Sequence, residues 1–322
     1  MKGKPVKWNS ALKRFMMTIL FLSMVFALAA CADSKAEGDS GADGKLKVTA
    51  TIGMIADVAQ NIGGEHVVVE SLMGPGVDPH YYKASQGDIK KLDQADIVFY
   101  NGLLLEGKMV DVFEKLSRNK TTVAVAKDVP VAKLLADPAA GVDSHDPHIW
   151  FNVQHWMKAT EVIRDTLIEK DAKNADDYKR KADAYLKELQ ELDTYAREQI
   201  ALIPDKSRVL VTAHDAFGYF GDAYGIKVVG LQGMSTASEY GSKDVSELRN
   251  FLVDNQIKAV FVESSVSTKG IEAVIEGAKQ KGHAVKIGGE IFSDAMGPAG
   301  TKEGTYIGMV RHNVDTIVNA LK

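Results

Sequence analysis

The stretch "NADDYKRKADAYLKELQELDTYAREQIALIP" spans residues 174–204, and its spacing decides how the chain on either side is organised. Tyr178, Ala182, Tyr185, Leu189, Leu192 and Ala196 recur at steps of three and four, which aligns them as one apolar stripe on a helix. Asn174 stands at the N-cap position, and Pro204 bounds the far end. At 1.5 Å per residue, roughly 28 residues give a helix about 40 Å long, enough to run from one lobe of a protein to another. The stripe would also suit a coiled-coil dimer, but the run is short and is flanked on both sides by α/β patterns.

Before the helix, short apolar runs alternate with amphipathic segments. Strands are predicted at "KVTATI" (47–52), "HVVVESLM" (66–73), "DIVFYNG" (96–102) and "TTVAVA" (121–126), with helices at "MIADVAQNIG" and "SQGDIKKLDQA". After it the pattern repeats, with strands at "RVLVTAH", "IKVVGLQ" (226–232), "IKAVFVES" (257–264) and "HAVKIGG" (283–289). Helices are predicted between them at "SELRNFLVDNQ" and "KGIEAVIEGAKQKG". Alternation of this kind implies an α/β fold of two lobes, each a mostly parallel sheet covered by helices, joined by one long rigid linking helix. The boundaries fall at 46–173 for the N-terminal lobe, 174–203 for the helix and 204–322 for the C-terminal lobe. A single helix is a stiffer connection than two or three crossing strands, so little hinge opening is expected.

Residues 1–30 differ from everything that follows. Lys2, Lys4, Lys7, Lys13 and Arg14 precede the apolar run "FMMTILFLSMVFALAA" with no acid among them, the pattern of a secretory signal peptide. The run ends in Leu28-Ala29-Ala30-Cys31, and Cys31 is the only cysteine of the chain. Leu-Ala-Ala-Cys resembles a bacterial lipobox, which implies that Cys31 is acylated, becomes the mature N-terminus and anchors the protein on the extracytoplasmic face of the cell membrane. An ordinary signal peptide or an uncleaved anchor are the alternatives. Residues 31–45, "CADSKAEGDSGADGK", offer nothing to bury and read as a flexible tether. Without the five cations of the signal the formal charge moves from −4 to −9, leaving 34 basic against 43 acidic residues. Such an acidic chain argues against nucleic acid as a partner and is compatible with cations.

Pro and His are scarce, at 8 each, yet Asp-Pro-His occurs twice, at Asp78-Pro79-His80 and Asp146-Pro147-His148. Proline fixes its own φ and pushes the preceding residue toward extended geometry, so each histidine is delivered on a stiff loop. In the second lobe "RVLVTAH" runs straight into His214, and Asp294 lies just past the last predicted strand. Open α/β sheets place ligands beyond the carboxyl ends of strands. Three imidazoles and one carboxylate suit zinc or manganese better than calcium. Spacing alone leaves the set open, because the four positions are scattered along the chain and an isolated histidine is more often a surface or core residue.

The segments "GVDPHYYKASQGD", "DPHIWFN", "VLVTAHDAFGYFGDAYG", "VFVESSVS" and "SDAMGPAGTKEGTYIGMVRHN", in this order behind a lipobox, resemble the metal-binding lipoproteins of ABC transporters for manganese and zinc. Within that family the chain is most similar to the manganese-binding lipoproteins of Gram-positive bacteria, and the resemblance covers residues 46–322. It implies that His80, His148, His214 and Asp294 are metal ligands, two from each lobe, around a transported Mn²⁺ or Zn²⁺. It also implies a membrane permease and, through it, a cytoplasmic ATPase as partners, with this chain acting as a monomer. Some manganese-binding members carry a glutamate at the position of His214, and the extra imidazole here favours zinc. The long His-rich acidic loop of many zinc-specific members is missing, which points back toward manganese.

The remaining candidates are weaker. Glu263, ending the strand "VFVE", is placed to orient a ligand histidine or simply to face solvent. Trp150 and Tyr82, each two residues beyond a ligand histidine, are expected to pack the cleft walls. His145 reads as a solvated loop residue, with an auxiliary ligand on that loop as the alternative, and His66, His155, His283 and His312 read as structural or exposed. A membrane-anchored metallohydrolase is the competing class, but four protein ligands close a metal shell that catalytic zinc sites leave open. Ser264-Ser265 lacks a Gly-x-Ser-x-Gly setting, and no GxxxxGK[ST] loop is present, so the chain is read as a binder and not an enzyme. An adhesin role is the third reading and does not explain the four ligands.

Overall fold

The computed structural model describes residues 44–137 and 139–322. The signal segment, Cys31 and nearly all of the tether lie outside the described residues. The first lobe runs β1 (Leu46–Ala50), α1 (Gly53–Gly63), β2 (Val67–Ser71), α2 (Gln86–Gln94), β3 (Ile97–Tyr100), α3 (Val110–Ser117) and β4 (Thr121–Ala124). Its strands pair in the order β2-β1-β3-β4, all parallel. Because β1 sits between β2 and β3, the chain leaves it toward opposite sides, and a crevice opens beyond its carboxyl end. The central strands carry the apolar residues this burial needs: Val48, Ala50, Ile97, Val98 and Phe99 are all buried.

Asn152 caps α4 (Val153–Lys170), its Oδ1 accepting from the Gln154 amide at 2.9 Å. A short 3-10 turn (Ala172–Asn174) then leads into α5 (Ala175–Ala201). Every residue of the predicted stripe, from Tyr178 to Ala196, is buried. The capping differs from expectation, because the Asn174 side chain donates back to Asp171 at 2.7 Å and leaves the helix amides to the acidic first turn, Asp176 and Asp177. Helix α5 is also not a bare connection. It packs on α1 and α4 of the first lobe and, in the second, on α6 (Gly218–Tyr224) and α9 (Tyr306–Leu321). Leu189, Leu192, Phe217, Phe220, Met309 and Val314 belong to one continuous core with the first-lobe residues. Hinge opening would have to break that core, which is the physical reason to expect little of it.

The second lobe runs β5 (Val209–His214), α6, β6 (Lys227–Gln232), α7 (Ser242–Asp254), β7 (Ala259–Glu263), α8 (Lys269–Gln280), β8 (Lys286–Ile291) and α9. Its strands form two parallel pairs, β5-β6 and β7-β8, with β5 packed beside β7, where the sequence suggests one sheet. The last strand also starts later than expected. His283 still belongs to the turn that ends α8, its amide donating to Ala278 O and its ring contacting Ile257 O at 2.6 Å. Among the described residues no helix is long and apolar enough to cross a membrane.

Candidate metal centre

Each of the four sequence-selected side chains reaches the same buried point, and each is held there by a different device. His80 follows β2 on the 74–82 loop, where its amide donates to Asp78 Oδ1 at 2.8 Å. His148 uses the same turn, with its amide 2.9 Å from Asp146 Oδ1, and its ring Nδ1 lies 2.7 Å from that oxygen as well. The carbonyl of Pro147 accepts from Asn101 Nδ2 at 2.9 Å, which ties this loop to the carboxyl end of β3. Asn101 is itself fixed by buried Glu106, which accepts from the Asn101 amide at 2.7 Å and from the Thr51 hydroxyl at 2.6 Å.

His214 is the last residue of β5. Its amide donates to Glu263 Oε1 at 2.9 Å and its Nδ1 is 2.5 Å from Glu263 Oε2, so the carboxylate at the end of β7 orients the imidazole. Asp294 follows β8. The segment before it is clamped by Asn313 of α9, which accepts from the Phe292 amide at 2.9 Å and donates to the Phe292 carbonyl at 2.7 Å. Trp150 Nε1 donates to Ser293 O at 3.1 Å, so the residue beside Asp294 is bonded across the cleft to the loop that carries His148.

Nε2 of His80 lies 3.3 Å from Nε2 of His148, and the Asp294 carboxylate is 3.5, 3.4 and 3.4 Å from His80, His148 and His214. A tetrahedron has edges about 1.6 times its radius, so ligands about 2.1 Å from a zinc-like centre stand about 3.4 Å apart. The observed separations match that edge. They are too long for hydrogen bonds of ordinary strength, and Nε2 of His214 and both oxygens of Asp294 are buried without a hydrogen-bond partner. Unpaired donor atoms aimed at one point are what a cation would satisfy.

Charge follows from the same surroundings. Burial drives His80 down to about 3 against the opposing pull of Asp294, so it stays neutral. Burial also works against the charged form of His148, but Asp146 and then Asp294 outweigh it and raise the ring to about 9. His214 is raised well above its usual value because Glu263 and Asp294 overcome its burial. Asp294 is held well below the usual carboxylate range, since the His214 and His148 charges overcome its burial.

Glu263 sits where the sequence reading placed its orienting alternative, and Trp150 packs edge-on against His148 with ring centroids 5.3 Å apart. Tyr82 is half-buried and points its hydroxyl at Leu72 O, 3.4 Å away. His145 stays on its loop in an isolated bridge with Ala136. His155 packs on Tyr219, and His312 contacts Glu290 O at 3.0 Å. His66 joins Glu65 and Asp177 in a second acidic group, but Lys181 Nζ occupies it at 2.6 and 2.8 Å from the two carboxylates. Sequence reasoning missed Asp146, Asn101, Tyr219 and Asn313. Of these only Asp146 left a signal, as the first residue of a repeated Asp-Pro-His.

The family model described as ZnuA, zinc-uptake complex component A, periplasmic, matches residues 48–320. The manganese-binding lipoprotein MntA of Bacillus subtilis is 56% identical over 307 residues, covering 95% of this chain and 98% of that protein. The zinc-binding protein TroA of Treponema pallidum is 46% identical over 309 residues, covering 96% and 98%. A solved structure of that periplasmic zinc-binding protein superposes with a TM-score of 0.84 at 48% identity, covering 86% of this chain and 99% of the other.

Proposed function

The chain belongs to the family of ZnuA, the periplasmic component A of zinc-uptake complexes, and from that premise we propose that His80, His148, His214 and Asp294 capture a divalent transition-metal ion for an ABC transporter. The observation that carries this reading is the convergence of four buried side chains, with Nε2 of His80 3.3 Å from that of His148 and the Asp294 carboxylate 3.4 to 3.5 Å from all three imidazoles. Both Asp294 oxygens face the imidazoles, one toward His148 and the other toward His80 and His214, so the cage offers three nitrogens and two oxygens.

The cargo is Mn²⁺, with Zn²⁺ as competitor. Three imidazoles bind zinc more tightly than manganese, as the order of divalent affinities requires. Tight binding is not transport, however, because a cargo must also be surrendered, and an over-stable zinc complex would inhibit. Similarity to the manganese-binding MntA and the absence of a His-rich loop support manganese as the transported ion. The zinc reading keeps one observation on its side, the imidazole-rich cage shared in composition with what zinc prefers.

Capture proceeds without turnover. The protein ligands fill the shell and leave no position for an activated water, and the hydroxyl of Ser265 is paired with that of Ser293, at 3.0 Å. Acylated Cys31 holds the protein on the outer face of the membrane, the tether lets the folded part reach a permease, and the permease's ATPase supplies the energy. Deleting the protein should lower cellular manganese, added Mn²⁺ should restore growth, and excess Zn²⁺ should compete. A deletion strain with normal manganese but zinc starvation would replace the manganese reading with the zinc one.

A further inference from the structure

Behind two of the three imidazoles stands a carboxylate: Asp146 for His148 and Glu263 for His214. Nδ1 of His80 has no such partner among the described residues. Its loop is tied to the first lobe by its own turn, and among the described residues its only hydrogen bond to the second lobe is from Thr236 Oγ1 to Asp78 Oδ2, at 2.6 Å. Thr236 is buried at 4% exposure inside a segment, residues 233–241, whose other residues are half-buried or exposed. That segment is drawn back onto the end of β6 by Gln232, whose Nε2 donates to the carbonyls of Thr236, at 2.5 Å, and Ser238. Gln232 is the register partner of His214. A continuous path outside the cage thus runs from the His80 amide through Asp78, Thr236 and Gln232 to the strand that carries His214.

We propose that Thr236 is a positioning residue, the latch that holds His80 on the ion, and that His80 is the ligand that leaves first when cargo is released. The contrast with the opposite wall supports the assignment. There the His148 loop is bonded to the second lobe by buried groups, with the Tyr219 hydroxyl donating to Asp146 O at 2.9 Å and Trp150 bonded to Ser293. Moving that wall would strand several buried polar groups without their hydrogen-bond partners, which costs far more than exposing one bond to water. Opening the latch exchanges one hydroxyl–carboxylate bond at the cleft rim for water. Release by this route needs no separation of the lobes and so leaves the shared core around α5 intact.

The inference rests on the proposed cation site, and the test separates the two. Mature protein loaded with Zn²⁺ is mixed with excess chromophoric chelator, and the release rate is read for wild type, Thr236→Val and Thr236→Ser. Thr236→Val should release about fivefold faster, the change that losing roughly one hydrogen bond produces, while its association rate stays within about twofold. Thr236→Ser should restore the wild-type rate. In an Asp78→Asn background, and in His80→Ala, Thr236→Val should add less than about twofold, because the residues act as one unit. Release from Thr236→Val at the wild-type rate, failure of Thr236→Ser to restore it, or full additivity with Asp78→Asn would each overturn the latch while leaving the site standing. Wild-type protein that takes up no Zn²⁺ would overturn both.

Discussion

The two Asp-Pro-His loops begin from the same three residues and end in different mechanical situations. In both, the aspartate accepts the histidine's own amide, at 2.8 Å for Asp78 and 2.9 Å for Asp146. Asp146 spends the same oxygen on the His148 ring, and its loop is bonded to Asn101 and Tyr219 on either side. Asp78 turns its second oxygen away to Thr236, and among the described residues no carboxylate stands behind the His80 ring. The repeat in sequence is thus a repeat in local geometry only. What differs is the environment, which raises one imidazole to about 9 and lowers the other to about 3. One loop is built to hold, the other to let go.

The largest effect should come from the residue the two loops share. Asp294→Ala leaves His148 and His214 facing each other without the anion between them, and breaking a buried pair costs about 3–5 kcal/mol. Metal affinity measured by calorimetry should fall by about a hundredfold to a few thousandfold. Next, His148→Ala should lose about a hundredfold and His80→Ala about tenfold, since the positions behind the ligands carry comparable weight to the ligands themselves. Equal losses for the two histidines would erase the distinction between the loops.

Protons sharpen the same contrast. A coordinating imidazole must be neutral, so an ion entering the cage has to displace the proton that Asp146 and Asp294 keep on His148 up to about pH 9. Affinity should fall as pH drops below 9, by about tenfold per unit for each proton displaced, and binding should be strongly impaired in mild acid. His80, lowered to about 3, contributes nothing to this slope. Calorimetry in two buffers of different ionisation enthalpy counts the protons released. The slope should survive in His80→Ala and shrink in Asp146→Asn, and a flat profile between pH 6 and 8 would contradict the charge assignment. The smallest effect is structural: Tyr219→Phe removes the hydroxyl that bonds Asp146 O and accepts from the Leu135 amide, and should lower stability by about 1–2 kcal/mol in thermal unfolding.

Much of this is legible in the sequence. The stripe from Tyr178 to Ala196 announced the long helix because helical spacing leaves a periodic trace. The four cage residues stood out because three of them follow a stiff Asp-Pro pair or end a strand, though only the family resemblance joined them into one site. The supports were hidden for a physical reason. Asn101 donates to a backbone carbonyl, Tyr219 to Asp146 O and Asn313 to Phe292 O, and a backbone acceptor is present at every position and marks none of them. The division of the second lobe into two strand pairs escaped for a similar reason, since β5 and β7 are apolar enough for either arrangement.

The most direct test of the cage is a crystal of the mature protein grown with Mn²⁺ and measured on either side of the manganese absorption edge. One strong anomalous peak is expected, bonded to Nε2 of His80, His148 and His214 and to the carboxylate of Asp294. A peak at any other group of residues, or none with these four side chains in place, would contradict it.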